Sequence, residues 1–240
     1  MRILLIDTAG AEGSVTLADT EASQMVVASE VLPGRTSSER LVPAIRRLLE
    51  ERGWRLRDLT AVVVVHGPGS FTGVRVGVSA AKGLSEAGEV PLIAVSRLAL
   101  LADSVDAGDG PVHAALDAGR GEFYYGEYVG SRCVREALLN VADVRSATGG
   151  IVVVCEAKVA EALTELGPRV VAEPVAGDAL ARASERIAAG DFDDAATLDA
   201  NYLRRTDAEI FSSKVGSKGA AKDTDNAEDP GKGAGQRAVR

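Results

Sequence analysis

Short apolar runs separated by polar turns make up the first part of the chain. The run Ile3–Ile6, which ends at Asp7, predicts a central strand, and the all-valine run Val62–Val65 is strongly typical of β structure. Five strands are expected in this part of the chain: Ile3–Ile6, Ser14–Ala18, Met25–Val31, Val62–Val65 and Pro91–Val95.

Two helical patterns interrupt these strands. Residues 38–52 place leucine and isoleucine on one face, and Thr36 and Glu39 form a capping-box pattern at the start of this helix. Pro43 is tolerated only near a first turn, which indicates a late start or a bend. The second helix is expected over residues 72–87 and is stopped by a glycine.

The pattern repeats loosely in the second half of the chain. Strands are expected at Val112–Leu116, Phe123–Val129, Arg132–Leu138 and Ile151–Cys155, and helices at 97–104, 157–166 and 179–189. The first half has the order three strands, helix, strand, helix, strand, which resembles a ribonuclease-H-like unit, the lobe of the actin and sugar-kinase superfamily. We therefore predict an α/β, two-lobed actin-like (ASKHA) fold in which each lobe is a mixed sheet flanked by helices.

The chain is expected to divide into three segments. Residues 1–105 form the N-terminal ribonuclease-H-like lobe, and residues 106–211 form a degenerate C-terminal lobe whose last helix can pack back on the first. Residues 212–240 contain no Leu, Ile, Met or aromatic residue, so they cannot bury enough apolar area to offset chain entropy. We expect this last segment to be a disordered tail.

Composition and charge limit the kind of core and the classes of binding partner that the chain can have. Aromatic residues are only 4% of the chain, so the core must be built from smaller aliphatic residues, which suit parallel sheets covered by helices. The net charge is −8, and the +2 of residues 212–240 (six Lys/Arg, four Asp/Glu) leaves −10 on residues 1–211. Residues 1–211 are therefore poorly suited to bind nucleic acid, because affinity for phosphates comes mostly from Lys and Arg.

No secretion signal or run of ~18 apolar residues is present, so we expect a cytoplasmic protein with no membrane contact.

The segment Gly67–Gly73 (GPGSFTG) follows the all-valine strand and precedes a helix. Glycines there allow a ligand or a second backbone to come close, and a helix N-terminus can hold an anion. The segment lacks the lysine of a P-loop and the spacing of a dinucleotide motif. A tight structural turn with Thr72 as the helix cap is the favoured interpretation, and phosphate binding is the alternative.

The helix after this segment is thin, because Gly77 and Gly83 lie within it. Each helical glycine costs roughly 1 kcal/mol relative to alanine, a cost that is easier to understand if another element packs very close. The close packing is expected either within the subunit or across an interface.

Few residues offer metal or nucleophile chemistry. His66 and His113 are the only histidines, and no metal-binding spacing joins them, so we expect local hydrogen bonds and no metal site. Cys133 and Cys155 are expected to be small buried residues without a disulfide. Asp7 ends the first strand, where an acid in actin-like folds holds a metal-bound nucleotide; a cap or turn role is the commoner one.

Five segments follow one another along the chain: Ile3–Thr8, Ser38–Ala44, Gly67–Gly77, Asp117–Tyr128 and Asn201–Arg204. In this order they resemble the TsaB (YeaZ) family of bacterial tRNA threonylcarbamoyladenosine biosynthesis subunits. The resemblance implies a role in modifying adenosine 37 of tRNAs that read codons beginning with A. It also implies two partners: TsaD, a catalytic paralogue with an HxxxH metal motif, and TsaE, an ATPase. The corresponding stretch here, residues 95–101, has no histidine.

We therefore expect a non-catalytic scaffold subunit that docks on TsaD, stabilises it and meets tRNA only indirectly, with a homodimer in isolation left open. It is expected to have no cofactor of its own, with ATP or ADP at the complex interface left open. The expected partner contacts are Leu41, Ile45, Val74, Gly77, Val78 and Ala81. Gly77→Leu is then expected to weaken the complex while the monomer stays folded.

An active actin-like ATPase or phosphotransferase is the alternative function. Its nucleotide-binding residues would be Asp7, Thr8, Gly67, Gly69 and Ser70. This alternative predicts Mg-ATP hydrolysis by the isolated chain that is lost in Asp7→Asn. A peptidase ranks below it, because the histidines such a site needs are missing.

Overall fold

The first sheet is formed by the first five strands of a computed structural model that describes residues 1–203. These are β1 (Arg2–Asp7), β2 (Gly13–Asp19), β3 (Val26–Leu32), β4 (Ala61–Val65) and β5 (Leu92–Val95). The sheet order is β3-β2-β1-β4-β5; β1 is antiparallel to β2 and parallel to β4. The central strands β1 and β4 are buried almost throughout, as their continuous apolar sequences require.

Two long helices cover this sheet, α1 (Ser37–Glu51) and α2 (Phe71–Gly88). The predicted capping box at the start of α1 does not form. A 3₁₀ turn over Gly34–Thr36 leads directly into the helix, and the hydroxyl of Thr36 donates to the carbonyl of Pro33 instead of capping the helix.

The second sheet repeats the topology of the first. Its strands are β6 (Pro111–Gly119), β7 (Glu122–Val129), β8 (Arg132–Asn140), β9 (Ile151–Val154) and β10 (Arg169–Val170), in the order β10-β9-β6-β7-β8. The helices are α3 (Arg97–Asp103), α4 (Val141–Ala147), α5 (Ala157–Ala162) and α6 (Leu180–Ala189). The predicted fold of two mixed sheets flanked by helices is confirmed. The sequence pattern missed α4 and β10, which are both short.

One helix of each half packs on the sheet of the other half. Helix α3 precedes the second sheet and packs on it, with Leu98 and Leu101 fully buried beside β6. Helix α6 and the 3₁₀ turn before it, Ala176–Ala179, pack on the first sheet, where Ala176 and Ala183 are fully buried. A boundary near residue 105 therefore separates the strands of the two sheets, but the helices cross it.

Residues 1–203 pack as one compact unit. None of their helices has the length and apolar character needed to cross a bilayer. The predicted disordered tail lies outside the described residues.

Candidate functional site

The glycine-rich turn Gly67–Gly73 lies between β4 and α2, as the sequence pattern predicts. Gly67 has a φ of +106°, a backbone conformation that favours glycine. Ser70 is the N-cap of α2, because its hydroxyl accepts a hydrogen bond from the backbone N–H of Gly73 at 3.2 Å. The prediction of Thr72 as the cap is therefore wrong, since the helix already begins at Phe71.

Three glycines let this turn and α2 lie directly against the end of β1. A Cβ atom at Gly69 would come within 3.0 Å of the carbonyl oxygen of Ala9, and a Cβ at Gly73 would meet the carbonyl oxygen of Thr8. A Cβ at Gly77 would meet the hydroxyl of Thr8, which donates to the carbonyl of Gly73 at 2.6 Å. The structure thus brings Asp7–Thr8 and the glycine-rich turn together through close backbone contact.

Asp7 is buried at this junction, with 1% of its surface exposed. Its carboxylate accepts a hydrogen bond from the backbone N–H of Ala9 at 2.7 Å, which is the turn-forming role. Burial raises the pKa of Asp7 from 3.8 to about 6, and the guanidinium of Arg97 and the Ala9 hydrogen bond oppose this rise.

A cleft of about 450 Å³ opens beside the turn. Of the five residues proposed for nucleotide binding, Thr8 and Ser70 line this cleft, and Asp7, Gly67 and Gly69 lie outside its lining. The described lining consists of hydroxyl-bearing, glycine, alanine and valine residues, with no charged side chain. The lining itself thus offers hydroxyl and backbone groups, and no cationic side chain, to a triphosphate.

The six expected partner contacts are all buried inside the monomer, which corrects the sequence-based assignment. Leu41 and Ala81 are 0% exposed, Ile45 2%, Val74 3% and Val78 6%, and Gly77 is buried as well. They are the apolar faces of α1 and α2 packed on the first sheet. Gly77→Leu would also collide with Thr8, so this substitution would disturb the fold and cannot test an interface.

The outward face of α2 carries a different set of residues. We call it the α2 stripe; it consists of Phe71, Arg75, Ser79, Gly83 and Ala87, spaced four apart and all exposed. At its N-terminal end the Arg75 guanidinium lies 3.7 Å from the centroid of the Phe71 ring. Arg75 Nε also donates to the hydroxyl of Tyr202 at 2.7 Å.

The spacing of the α2 stripe was visible in the sequence, but apolar periodicity drew attention to the opposite face. Phe71 is 48% exposed and Tyr202 38%. The contact between them, with ring centroids 5.7 Å apart, joins residues far apart in the chain and has no sequence signal.

Both histidines make hydrogen bonds within the fold, one of them to a residue far away in the chain. His66 Nδ1 lies 3.3 Å from the carbonyl of Asp199, and His113 Nδ1 lies 2.6 Å from the hydroxyl of Tyr125. Within residues 1–203, no group of three His, Cys, Asp or Glu side chains is placed to hold a metal ion. Cys133 is exposed, which corrects its expected burial, and both cysteines are free thiols.

Two groups of buried or half-buried charged residues have no signal in the sequence. The buried Arg97 pairs with Glu173, and the carboxylate of Glu136 accepts hydrogen bonds from the side chains of Ser96, Tyr128 and Asn201. The partners in each group are 8 to 76 residues apart in the chain, so no local motif could reveal them.

Comparisons with known proteins give consistent matches. Residues 17–165 match the family model described as TsaD, tRNA N6-adenosine threonylcarbamoyltransferase. The chain is 41% identical over 130 residues to the tRNA threonylcarbamoyladenosine biosynthesis protein TsaB of Escherichia coli, and 37% identical over 130 residues to that of Bacillus subtilis. Each match covers 53% of this chain and 55% of the relative, so the chain spans about half the length of these curated relatives.

A solved structure extends the match to most of the fold. YeaZ from Pseudomonas aeruginosa superposes with a TM-score of 0.71 at 30% sequence identity, covering 84% of this chain and 99% of that one. The chain therefore belongs to the TsaB (YeaZ) family, within the proteins that the TsaD family model describes.

Proposed function

We propose that this chain takes part in the synthesis of threonylcarbamoyladenosine in tRNA as a non-catalytic subunit that docks on a TsaD-type paralogue and stabilises it. The names of its curated relatives support the pathway. The proposed target is adenosine 37 of tRNAs reading codons that begin with A. In this proposal a TsaE-type ATPase joins the complex in the cytoplasm, and the isolated chain pairs with a second copy.

The observation that carries the docking proposal is the α2 stripe. Arginine and the aromatic residues are enriched among the residues that contribute most to the binding energy of protein interfaces. Phe71, Arg75 and Tyr202 form a surface cluster of these residue types. Further along the helix, nothing lies within 4 Å of a Cβ built at Gly83. The thin helix therefore leaves room for a partner helix to approach closely.

Neighbouring surface extends the proposed contact. Helix α1 packs beside α2, and Val42 on α1 is 52% exposed. The acidic body of the chain is poorly suited to holding tRNA phosphates, so we assign tRNA contact to the other subunits. We assign the chain no cofactor of its own and place any ATP or ADP at the interface between subunits.

Gly83→Leu tests the docking surface. The added side chain points into open space in the monomer and improves helix propensity, so the isolated chain should be at least as stable as wild type. It should lower affinity for the cognate TsaD, measured by calorimetry, by at least about tenfold, which corresponds to 1.4 kcal/mol. The matched control is Gly149→Leu, which also adds a side chain in open space but lies in the second half.

A second pair of variants tests the aromatic end of the stripe. Phe71→Ala should weaken TsaD binding by about 2 kcal/mol, whereas Val134→Ala, at an exposed apolar position on β8, should leave it unchanged. Wild-type affinity in both Gly83→Leu and Phe71→Ala would overturn the surface assignment. Modification of tRNA by the isolated chain, without the other subunits, would overturn the non-catalytic role.

A further inference from the structure

Arg97, the first residue of α3, is a buried cation between the two sheets. Its side chain is 5% exposed, and one terminal nitrogen, Nη2, pairs with the carboxylate of Glu173. Its Nε atom is fully buried and has no hydrogen-bond partner among the described residues. A buried polar atom left unpaired is costly, so the guanidinium is set up for one more acceptor than Glu173 supplies.

The turn after β1 faces the same carboxylate. The backbone N–H of Ala11 donates to Glu173 Oε1 at 2.9 Å, and this is the same oxygen that Arg97 Nη2 contacts. Gly10 lines the space between them, because a Cβ there would come within 2.9 Å of Arg97 Nη2 and would collide with Glu173. A guanidinium, a backbone N–H and a glycine thus surround a single carboxylate oxygen.

This donor set suits a tetrahedral oxyanion better than it suits Glu173. An arginine presents Nε and a terminal nitrogen on one edge, and that edge pairs with two oxygens of a phosphate group. A third oxygen would accept from the N–H of Ala11. Glu173 engages the set through Oε1 alone, which leaves Nε unpaired.

We propose that Gly10, Ala11 and Arg97 form a binding site for a phosphate group, and that the chain's own Glu173 occupies this site in the structure. Glu173 lies in a segment without regular secondary structure, and its side chain is 42% exposed, so it can leave without unfolding an element. While Glu173 occupies the site, two carboxylates, those of Asp7 and Glu173, lie near the single guanidinium of Arg97. The excess of negative charge repels a second anion.

The test uses the isolated chain, so it does not depend on the docking proposal. Glu173→Ala frees the donors and removes the repulsion. ¹⁵N NMR titrations with inorganic phosphate, and in parallel with ATP, should shift the Ala11 amide and the Arg97 Nε–H signals in this variant. Wild type should bind at least about tenfold more weakly, because a tethered carboxylate competes at high effective concentration. The tighter of the two probes identifies whether the phosphate is free or part of a nucleotide.

Matched variants separate this site from general electrostatics. Glu165→Ala removes another exposed, arginine-paired glutamate and should behave like wild type. Glu173→Ala combined with Arg97→Met should lose the binding, and so should Glu173→Ala combined with Gly10→Ala. If a folded Glu173→Ala variant shows no shift with either probe, or if the added Arg97→Met substitution leaves the shift of the Ala11 amide intact, the proposal is wrong.

Discussion

The two halves of this chain have the same strand topology and very different outer layers. In each half, three antiparallel strands are followed by two parallel ones, so β6–β10 repeat β1–β5 in order and direction. The crossover helices differ in length: α1 and α2 have 15 and 18 residues, whereas α4 and α5 have 7 and 6. Among residues 1–203, two crossover helices longer than ten residues occur in the first half alone.

The ends of the two equivalent central strands differ as well. At the end of β1, Asp7 is buried, and α2 lies directly against the backbone. At the end of β6, Asp117 pairs with the exposed Lys158 at 2.6 Å, and a tight hairpin follows, in which Arg120 and Gly121 both have positive φ. The topology is therefore the same in both halves, and the residues at each strand end determine whether a helix packs directly against that end.

Gly73→Ala should break the closed end of β1 and have the largest effect. The new Cβ would overlap the carbonyl oxygen of Thr8, a backbone atom directly after the buried central strand β1, which holds it in place. We expect a loss of more than about 4 kcal/mol in the free energy of unfolding, measured by urea denaturation.

Gly83→Ala is the control on the same helix. With open space around its Cβ, it should raise the free energy of unfolding by about 1 kcal/mol. Equal effects of the two substitutions would show that helix propensity, and not the contact with β1, explains these glycines.

The strand layout was predictable because apolar runs that end at turn residues leave a clear local signal. All five strands of the first sheet and four of the second lie within two residues of their predicted bounds at the N-terminal end. Helix α4 and strand β10 were missed, since seven and two residues are too few to show a period.

The candidate surface was less predictable, for a physical reason. Apolar periodicity identifies the face of a helix that packs on its own sheet, so Leu41 and Val74 were core residues and could not be contacts. Arg97 and Glu173 meet only through the fold, 76 residues apart. The glycines of α2 did indicate close packing, and the structure shows it to lie within the subunit at Gly73 and Gly77.

Asp7→Asn sharpens the contrast between the buried and the exposed strand end. Because burial raises the pKa of Asp7 from 3.8 to about 6, the folded state holds a proton that the unfolded state has released. The stability this proton contributes is present below about pH 4 and is lost as the pH rises through 6. Relative to Asp7→Asn, wild type should lose about 2.4 kcal/mol of unfolding free energy between pH 4 and pH 7, measured by denaturation at each pH.

Asp58→Asn provides a control of opposite sign. Its hydrogen bonds with Arg55 lower the pKa of Asp58 to about 2, so its contribution is present above 3.8 and is lost as the pH falls through about 2. This substitution should lower stability at neutral pH. A pH profile of Asp7→Asn parallel to that of wild type would show that Asp7 is not buried as described.

Tyr125→Phe tests the second sheet and should have a smaller effect than Gly73→Ala or the change in Asp7 charge. Tyr125 is fully buried, and the backbone N–H of Gly149 donates to His113 Nε2 at 3.2 Å, so His113 Nδ1 carries the proton and donates to the tyrosine hydroxyl. Removing that hydroxyl leaves a buried N–H without an acceptor, which should cost about 1–2 kcal/mol. A double-mutant cycle with His113→Ala, followed by urea denaturation, should give a coupling of at least about 0.5 kcal/mol. Additive effects would mean that the cost arises from packing around the ring and not from the hydrogen bond with His113.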